Sequence, residues 1–174
     1  MADQNCTALE EIVIGCPRNS GGVSEIIVGD MEDVGTVTAD DATWALTAFT
    51  VTLAPISINV KRRQSDFTEE ETNDLDNGSV KVMRTINATL PRREAVKSRS
   101  LKIMGDGQRY LYVLAKDLNG IWWYLPYAQL LTVGGGSGRQ REDGSRYDIV
   151  FESQDSQLAY EIPTLLVEAA LAVI

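Results

Sequence analysis

Residues 108–126, QRYLYVLAKDLNGIWWYLP, constrain the fold more than any other stretch of the chain. Asn119-Gly120 between two aromatic and β-branched runs is the favoured chemistry of a tight hairpin turn. Side chains alternate along a strand, so Tyr110, Tyr112 and Leu114 fall on one face and Leu111, Val113 and Ala115 on the other. Both faces are apolar, and such a hairpin needs cover on two sides. Trp122 and Trp123 repeat the demand on the return strand, because adjacent residues cannot share one core. Two arrangements meet it. Either one ring fills the core and the other lies under a helix or loop, or one face of the hairpin sits in a contact between subunits.

The rest of the chain reads as mainly β. Between residues 11 and 64, EIVIGC, VSEIIVGD, DVGTVT, TWALTAFTVTLA and ISINVKRRQ are short runs rich in Val, Ile and Thr, punctuated by Gly, Asp and Pro. They predict an opening all-β meander. In FTEEETNDLDNGS and the aspartate before it, Asp66, Glu69, Glu70, Glu71, Asp74 and Asp76 occur with no base among them, before an Asn77-Gly78 turn signal. A segment like that stays in water, as a long loop or an extended hairpin arm over about 65–79. The strand SVKVMRTINATL returns from it, with Val80, Val82, Arg84, Ile86 and Ala88 on one face.

One helix is expected, over about 91–104, because Pro91 suits a first helical position and Gly105 the residue just past the end. Its apolar stripe is thin and its exposed surface basic, with Arg92, Arg93, Lys97, Arg99 and Lys102 against Glu94. A Gly-rich connection and Asp143-Gly144 mark a second hairpin returning through YDIVFE. Residues 163–174 are apolar and ambiguous between strand and helix. An apolar end of this kind is tied down in its own core or in a neighbour's.

Composition narrows the function classes. A chain of 174 residues with 44% hydrophobic and 24% charged residues is expected to form one domain over 1–174 with a core of its own. Sixteen Lys and Arg against 25 Asp and Glu give a net charge of -9, which opposes a surface built to grip phosphates. The first residues carry acids where a signal peptide carries bases, so synthesis and residence in the cytoplasm are expected. No apolar run approaches the length of a membrane span.

Chemistry has little to draw on. The chain has no histidine and two cysteines, Cys6 and Cys16, which read as small buried thiols and cannot complete a zinc site. GGGSGR, 134–139, lacks the Lys-Ser/Thr and helix of a phosphate loop, and NDLDNG puts Leu75 where a calcium loop needs oxygen. No serine sits in a nucleophile elbow, and Glu69 and Glu70 lie in a polar run with nothing to raise a pKa. An enzyme is not expected, nor a metal or cofactor. The segregation of an acidic arm and a basic helix suits head-to-tail contacts between copies instead.

The order of these elements carries a resemblance. An early CTALEEIVIGCPRNSGGVSEIIVGDMEDV, the acidic FTEEETNDLDNGSVKVMRTINATLP, a basic helix, LYVLAKDLNGIWWYLPY and YDIVFESQDSQLAYEI together cover residues 6–162. This succession resembles the ring-forming tail tube and tail hub proteins of tailed bacteriophages, particularly Bacteroides-group and crAss-like phages. The resemblance implies a β-sandwich or partly rolled barrel with one flanking α-helix and a long acidic hairpin arm. It also implies a structural virion protein, made in the host bacterial cytoplasm. Its rings, commonly sixfold, would line a channel for DNA passage and contact adjacent tail or connector proteins. The interface candidates are then Trp122, Trp123 and Tyr124 of the hairpin, Arg92, Arg93 and Lys97 of the helix, and Glu69, Glu70, Glu71, Asp74 and Asp76 of the arm. Residues 163–174 would dock another ring protein. Two rivals stand beside this reading: a β-sandwich that binds glycans, marked by Trp123 or Tyr127 in a shallow groove, and a head-completion connector.

Overall fold

A computed structural model of the chain describes residue 12 and residues 19–60, 64–74, 76–107, 109–140 and 142–173. Both cysteines and most of the expected first strand EIVIGC lie outside the described residues.

The two-sided hairpin is the centre of the molecule. Strand β7 (Leu111–Asp117) pairs with β8 (Trp122–Gly136), with Leu114 opposite Tyr124, Ala115 opposite Trp123 and Lys116 opposite Trp122. The turn is one residue longer than a two-residue hairpin: the Asp117 N–H donates to Ile121 O at 2.9 Å, and Gly120 takes a φ of 92°. Asp117 is the reason, because its Oδ1 accepts the N–H groups of both Asn119 and Ile121, at 2.8 and 2.9 Å.

Strand β8 belongs to two sheets. Its first half pairs with β7, and from Gln129 onward it pairs with β9 (Arg146–Asp155). At the changeover the partners step from Val113/Leu125 to Leu111/Ala128, which leaves an extra residue at Pro126-Tyr127, and Tyr127 has a φ of 51°. A second shift follows between Leu130 and Thr132. Bulges bend and twist the strand that carries them, so these two curl the sheet on itself. The result is a mainly β, partly rolled barrel, a curled half-barrel sheet with flanking helices.

Ten strands complete it. β9 pairs with β6 (Ser79–Pro91), and β6 with the edge strand β5 (Asp66–Asp74). On the other side β7 pairs with β1 (Val23–Asp30), which pairs with the edge strand β4 (Ile56–Asn59). The short β10 (Tyr160–Glu161) joins β8 to β3 (Ala45–Val51), and β3 pairs with the edge strand β2 (Val34–Asp40). The expected meander is therefore not formed, since β1 lies between β7 and β4 and away from β2. Ile26, Ile27 and Val28 explain this: all three are buried, so β1 needs cover on both faces and takes an interior position. Gly29 stands opposite Tyr112, whose ring lies where a Cβ would be.

Two cores flank the central hairpin. The first holds Leu111, Val113 and Ala115 of β7 against Ile86, Ala88, Ile149 and Phe151 of β6 and β9. The second holds Tyr112, Leu114, Trp122 and Tyr124 against Leu46 and Phe49 of β3. Each core is closed by a helix: α1 (Ala95–Met104) inserts Leu101 and Met104 into the first, and α2 (Thr164–Leu171) inserts Val167 and Ala170 into the second. The second helix is an addition to the single one expected. The first begins later than Pro91, which instead ends β6 opposite Arg146. Arg92 turns the corner between them at a φ of 61°, its N–H donating to Ser145 O at 2.7 Å. Gly105 ends α1 as expected, with its N–H on Leu101 O at 3.1 Å.

Candidate assembly surfaces

The hairpin side chains expected at an interface are placed mostly inside. Trp122 and Tyr124 are each 4% exposed and lie in the second core, so neither can contact a neighbour while the fold is intact. Trp123 is half-buried against the first core, with its Nε1 3.5 Å from Asp117 Oδ2. The two tryptophans thus face opposite ways, as adjacent strand residues must, and both are covered by their own chain. Burial keeps the Tyr124 hydroxyl protonated well above the usual tyrosine range, and it pushes Tyr112, with a smaller contribution from Asp33, up to about 12.

The acidic segment is a β-hairpin, not a loose loop. β5 pairs with β6 rung by rung from Asp66/Asn87 to Asp74/Ser79. β9 covers the far side of β6 only as far as Val82/Asp155, so the rungs Thr72/Lys81, Asn73/Val80 and Asp74/Ser79 project beyond it. At about 3.3 Å per residue this free end reaches roughly 10 Å. The tip is folded by its own acids and amides: Asp74 Oδ1 accepts the Asp76 N–H at 3.0 Å, and Asn77 Oδ1 accepts the Ser79 N–H at 3.1 Å. Among the described residues no group of His, Cys, Asp and Glu is arranged to hold a metal.

Glu69 departs from the solvated acids around it. It lies on the inner face of β5, 3.4 Å from Nε of Arg84, and its Oε1 accepts the Ala159 N–H at 2.7 Å. Arg84 is 1% exposed, 3.2 Å from Asp155, and donates through Nη2 to Gln157 O. Its Nε and Nη1 are within ion-pair reach of these carboxylates but off hydrogen-bond geometry. The cluster ties the base of the acidic hairpin to the segment leading into β10 and α2. Arg84 was legible only as one position on an otherwise apolar face. An unpartnered arginine does not enter a core, and the partners come from strands distant in sequence.

The basic segment divides in two. Arg92 is 3.1 Å from Glu94; Arg93 donates to Gly135 O at 3.3 Å and lies over the Tyr147 ring at 5.0 Å; Lys97 donates to Pro91 O at 2.8 Å and Arg92 O at 3.1 Å. These three cations, expected to meet another copy, already bind their own chain. Arg99 and Lys102 are exposed beside the exposed Val96 and Ile103. Beneath this corner the hydroxyl bond between Ser98 and Tyr147 holds the Tyr147 pKa below its ordinary value.

Of the residues on two aromatic surfaces, sequence reasoning singled out only Tyr127, as a candidate groove residue. Trp44 stacks on Tyr160 with ring centroids 4.8 Å apart. Tyr110 and Tyr127 meet edge to face at 6.0 Å, each about half exposed. The second pair lines a cleft of about 590 Å³ with Gln129, Leu131, Glu152 and Gln154. The signal for Tyr127 was Pro126 inside an apolar strand, which marks a bulge. In α2, Val167 and Ala170 point into the second core while Leu165 and Leu171 stay exposed. No helix among the described residues is long and apolar enough to cross a membrane.

No protein-family model matches the chain, and no curated protein matches it. Among solved structures it is similar to a chain of the virion of a native gene transfer agent particle, at 9% identity and a TM-score of 0.39. That overlay covers 74% of this chain and 95% of the other. It is similar also to Hcp1 from Salmonella typhimurium, at 14% identity and a TM-score of 0.40, over 77% of this chain and 87% of that one. At these scores neither likeness bears on what the chain does.

Proposed function

We propose that this chain is a non-enzymatic structural subunit of a bacteriophage tail, closing with copies of itself into a ring around a passage for DNA. The observation that carries the reading is the presence on one chain of two exposed elements of opposite charge. The β5–β6 hairpin presents Glu70 and Glu71 along β5 and Asp74 and Asp76 at its free end, none of which makes an ion pair among the described residues. The outer side of α1 presents Arg99 and Lys102, with the exposed Val96 and Ile103 beside them. An acidic arm of one copy against the basic helix of the next is a heterologous contact, which closes a ring when the rotation allows and a filament when it does not. The order of elements along the sequence supports the tail assignment, and the net charge of -9 suits a wall that phosphates slide past.

Finer forms of the proposal are a sixfold ring, a hub or adaptor position, a Bacteroides-group phage, and docking of an adjacent ring protein through Leu165 and Leu171. Native mass spectrometry over a range of concentrations, with electron micrographs of the same samples, tests it. Ring masses or stacked tubes are expected, weakened when Arg99 and Lys102 are both replaced by Glu. A chain that stays monomeric at every concentration overturns the self-assembly step.

A further inference from the structure

The Tyr110–Tyr127 cleft has the chemistry of a ligand site independent of any ring. Tyr127 sits on the bulge of β8 at a φ of 51°, a conformation a bulky side chain rarely adopts, and 56% of its surface is exposed. A bulge re-aims the side chain it carries, and backbone held in a sparse region is a pointer to a site. Here it holds a tyrosine edge-to-face against Tyr110 and out of the core.

The floor beside the two rings is polar. Gln129 stands directly opposite Glu152 across the strands, and Gln154 follows two residues on along β9, with its Nε2 3.3 Å from Glu152 Oε1. Amides and a carboxylate each present two heteroatoms side by side, which matches the spacing of neighbouring hydroxyls on a pyranose. The flat C–H face of the same sugar stacks on an aromatic ring, whose face is the negative end of its quadrupole. A larger cleft of about 980 Å³ shares both tyrosines and extends the groove past Asp30, Glu32 and Arg109. Arg109, the cation of that extension, is held by Asp30. The groove therefore offers acceptors and donors in a negative field, with its cation already neutralised.

We infer that this groove binds a neutral oligosaccharide, with Tyr127 and Tyr110 as the stacking platform and Gln129, Glu152 and Gln154 reading the hydroxyl rim. Sulfated, sialylated or uronic acid chains are excluded by Glu32 and Glu152.

The test titrates the full chain with maltohexaose, cellohexaose, xylohexaose and chitohexaose, with oligogalacturonate as the anionic control, by calorimetry and saturation-transfer NMR. The expected result is saturable binding of at least one neutral oligosaccharide and none of oligogalacturonate. Tyr127→Ala should weaken it about tenfold, the loss of one stacking platform, and Gln154→Ala by less, with circular dichroism unchanged. Tyr110→Ala, away from the strained bulge, repeats the test should Tyr127→Ala fail to fold. Absence of binding by all four neutral chains overturns the inference, as does binding that neither tyrosine variant changes. Native mass spectrometry of the same variants separates the two proposals. If the Tyr127→Ala change dissolves rings while no sugar binds, the cleft is a contact between copies. Sugar binding by a chain that never forms rings leaves this inference standing and sinks the ring.

Discussion

The chain contains two long hairpins marked by the same Asn-Gly dipeptide, and they do opposite things. β7–β8 is apolar on both faces and lies between two cores, whereas β5–β6 has one partly buried face and an outer strand that no other described strand covers. The turn signal is shared, so it does not decide the outcome. What decides it is the residue alternating with the apolar one. Where Tyr112 and Leu114 alternate with Val113 and Ala115, burial on both sides is the lowest free energy. Where Glu70 and Thr72 alternate with Glu69 and Glu71, water must remain on at least one side. The first hairpin builds the molecule; the second is free to reach beyond it.

The comparison is broken most directly at Trp122. Trp122 is 4% exposed within the second core, which also holds Phe49, Tyr124 and the α2 residues Val167 and Ala170, and truncation leaves a cavity that close-packed neighbours fill only in part. Trp122→Ala should lower the unfolding free energy by about 3–5 kcal/mol, read as a shift in the urea midpoint at constant slope. A loss below about 1 kcal/mol would mean that the second core is not a packed unit.

Arg84 tests the join between the two hairpins. Removing it strands Glu69 and Asp155, but these carboxylates keep 20% and 34% of their side-chain surface, so water recovers part of the loss. Arg84→Ala is expected to destabilise by about 2–3 kcal/mol, below the full effect of breaking a buried pair. Hydrogen exchange should show the change concentrated in residues 66–74 and 155–161. Uniform loss of protection would show that Arg84 is part of the general core.

These two residues also show how far the sequence could be read. Strand content, both faces of β7, the opposite orientation of the tryptophans and Gly105 as a helix end all follow from local alternation and turn chemistry. Tertiary pairing does not. β1 between β7 and β4, Arg84 between Glu69 and Asp155, and the changeover of β8 from one sheet to the other depend on residues far apart in the chain. Pro91 illustrates the limit locally: its fixed φ suits a first helical position and also the end of a strand, and the ladder to Arg146 decides between them. The candidate interface residues were the least legible, because exposed charge looks alike whether it faces water, a partner, or, as with Arg93 and Lys97, its own backbone.

Tyr112 sharpens the picture of the buried hairpin by a change in the other direction. Its hydroxyl is buried with no hydrogen-bond partner among the described residues, so Tyr112→Phe removes a desolvated polar group and should stabilise by about 1 kcal/mol. The same hydroxyl predicts a pH dependence. Its folded pKa of about 12 lies above the ordinary 10.0, so between these values the unfolded chain releases a proton that the folded chain retains. Stability is then full below pH 10 and falls as pH rises towards 12, by at most about 2–3 kcal/mol from this group. Tyr124 adds a loss of the same sign. Urea titrations at stepped pH should give a shallower alkaline loss for Tyr112→Phe than for the unchanged chain, and equal slopes would show that the hydroxyl is solvated.

The smallest expected effect on the monomer falls on the exposed acids of the acidic hairpin. Glu70, Glu71 and Asp74 are exposed, and exposed charges contribute little to folding, so replacing all three by Gln or Asn should move the unfolding free energy by no more than about 0.5–1 kcal/mol. Their expected effect is on association. Among the described residues no strand pairs with the outer edge of β5, and charged side chains keep such an edge from pairing indiscriminately. The neutralised variant should therefore lose salt-sensitive, ring-sized assemblies and gain irregular aggregates, which light scattering and micrographs at low and high ionic strength would separate. If it assembles as the unchanged chain does, with the same dependence on salt, the hairpin's charge has no part in contacts between copies.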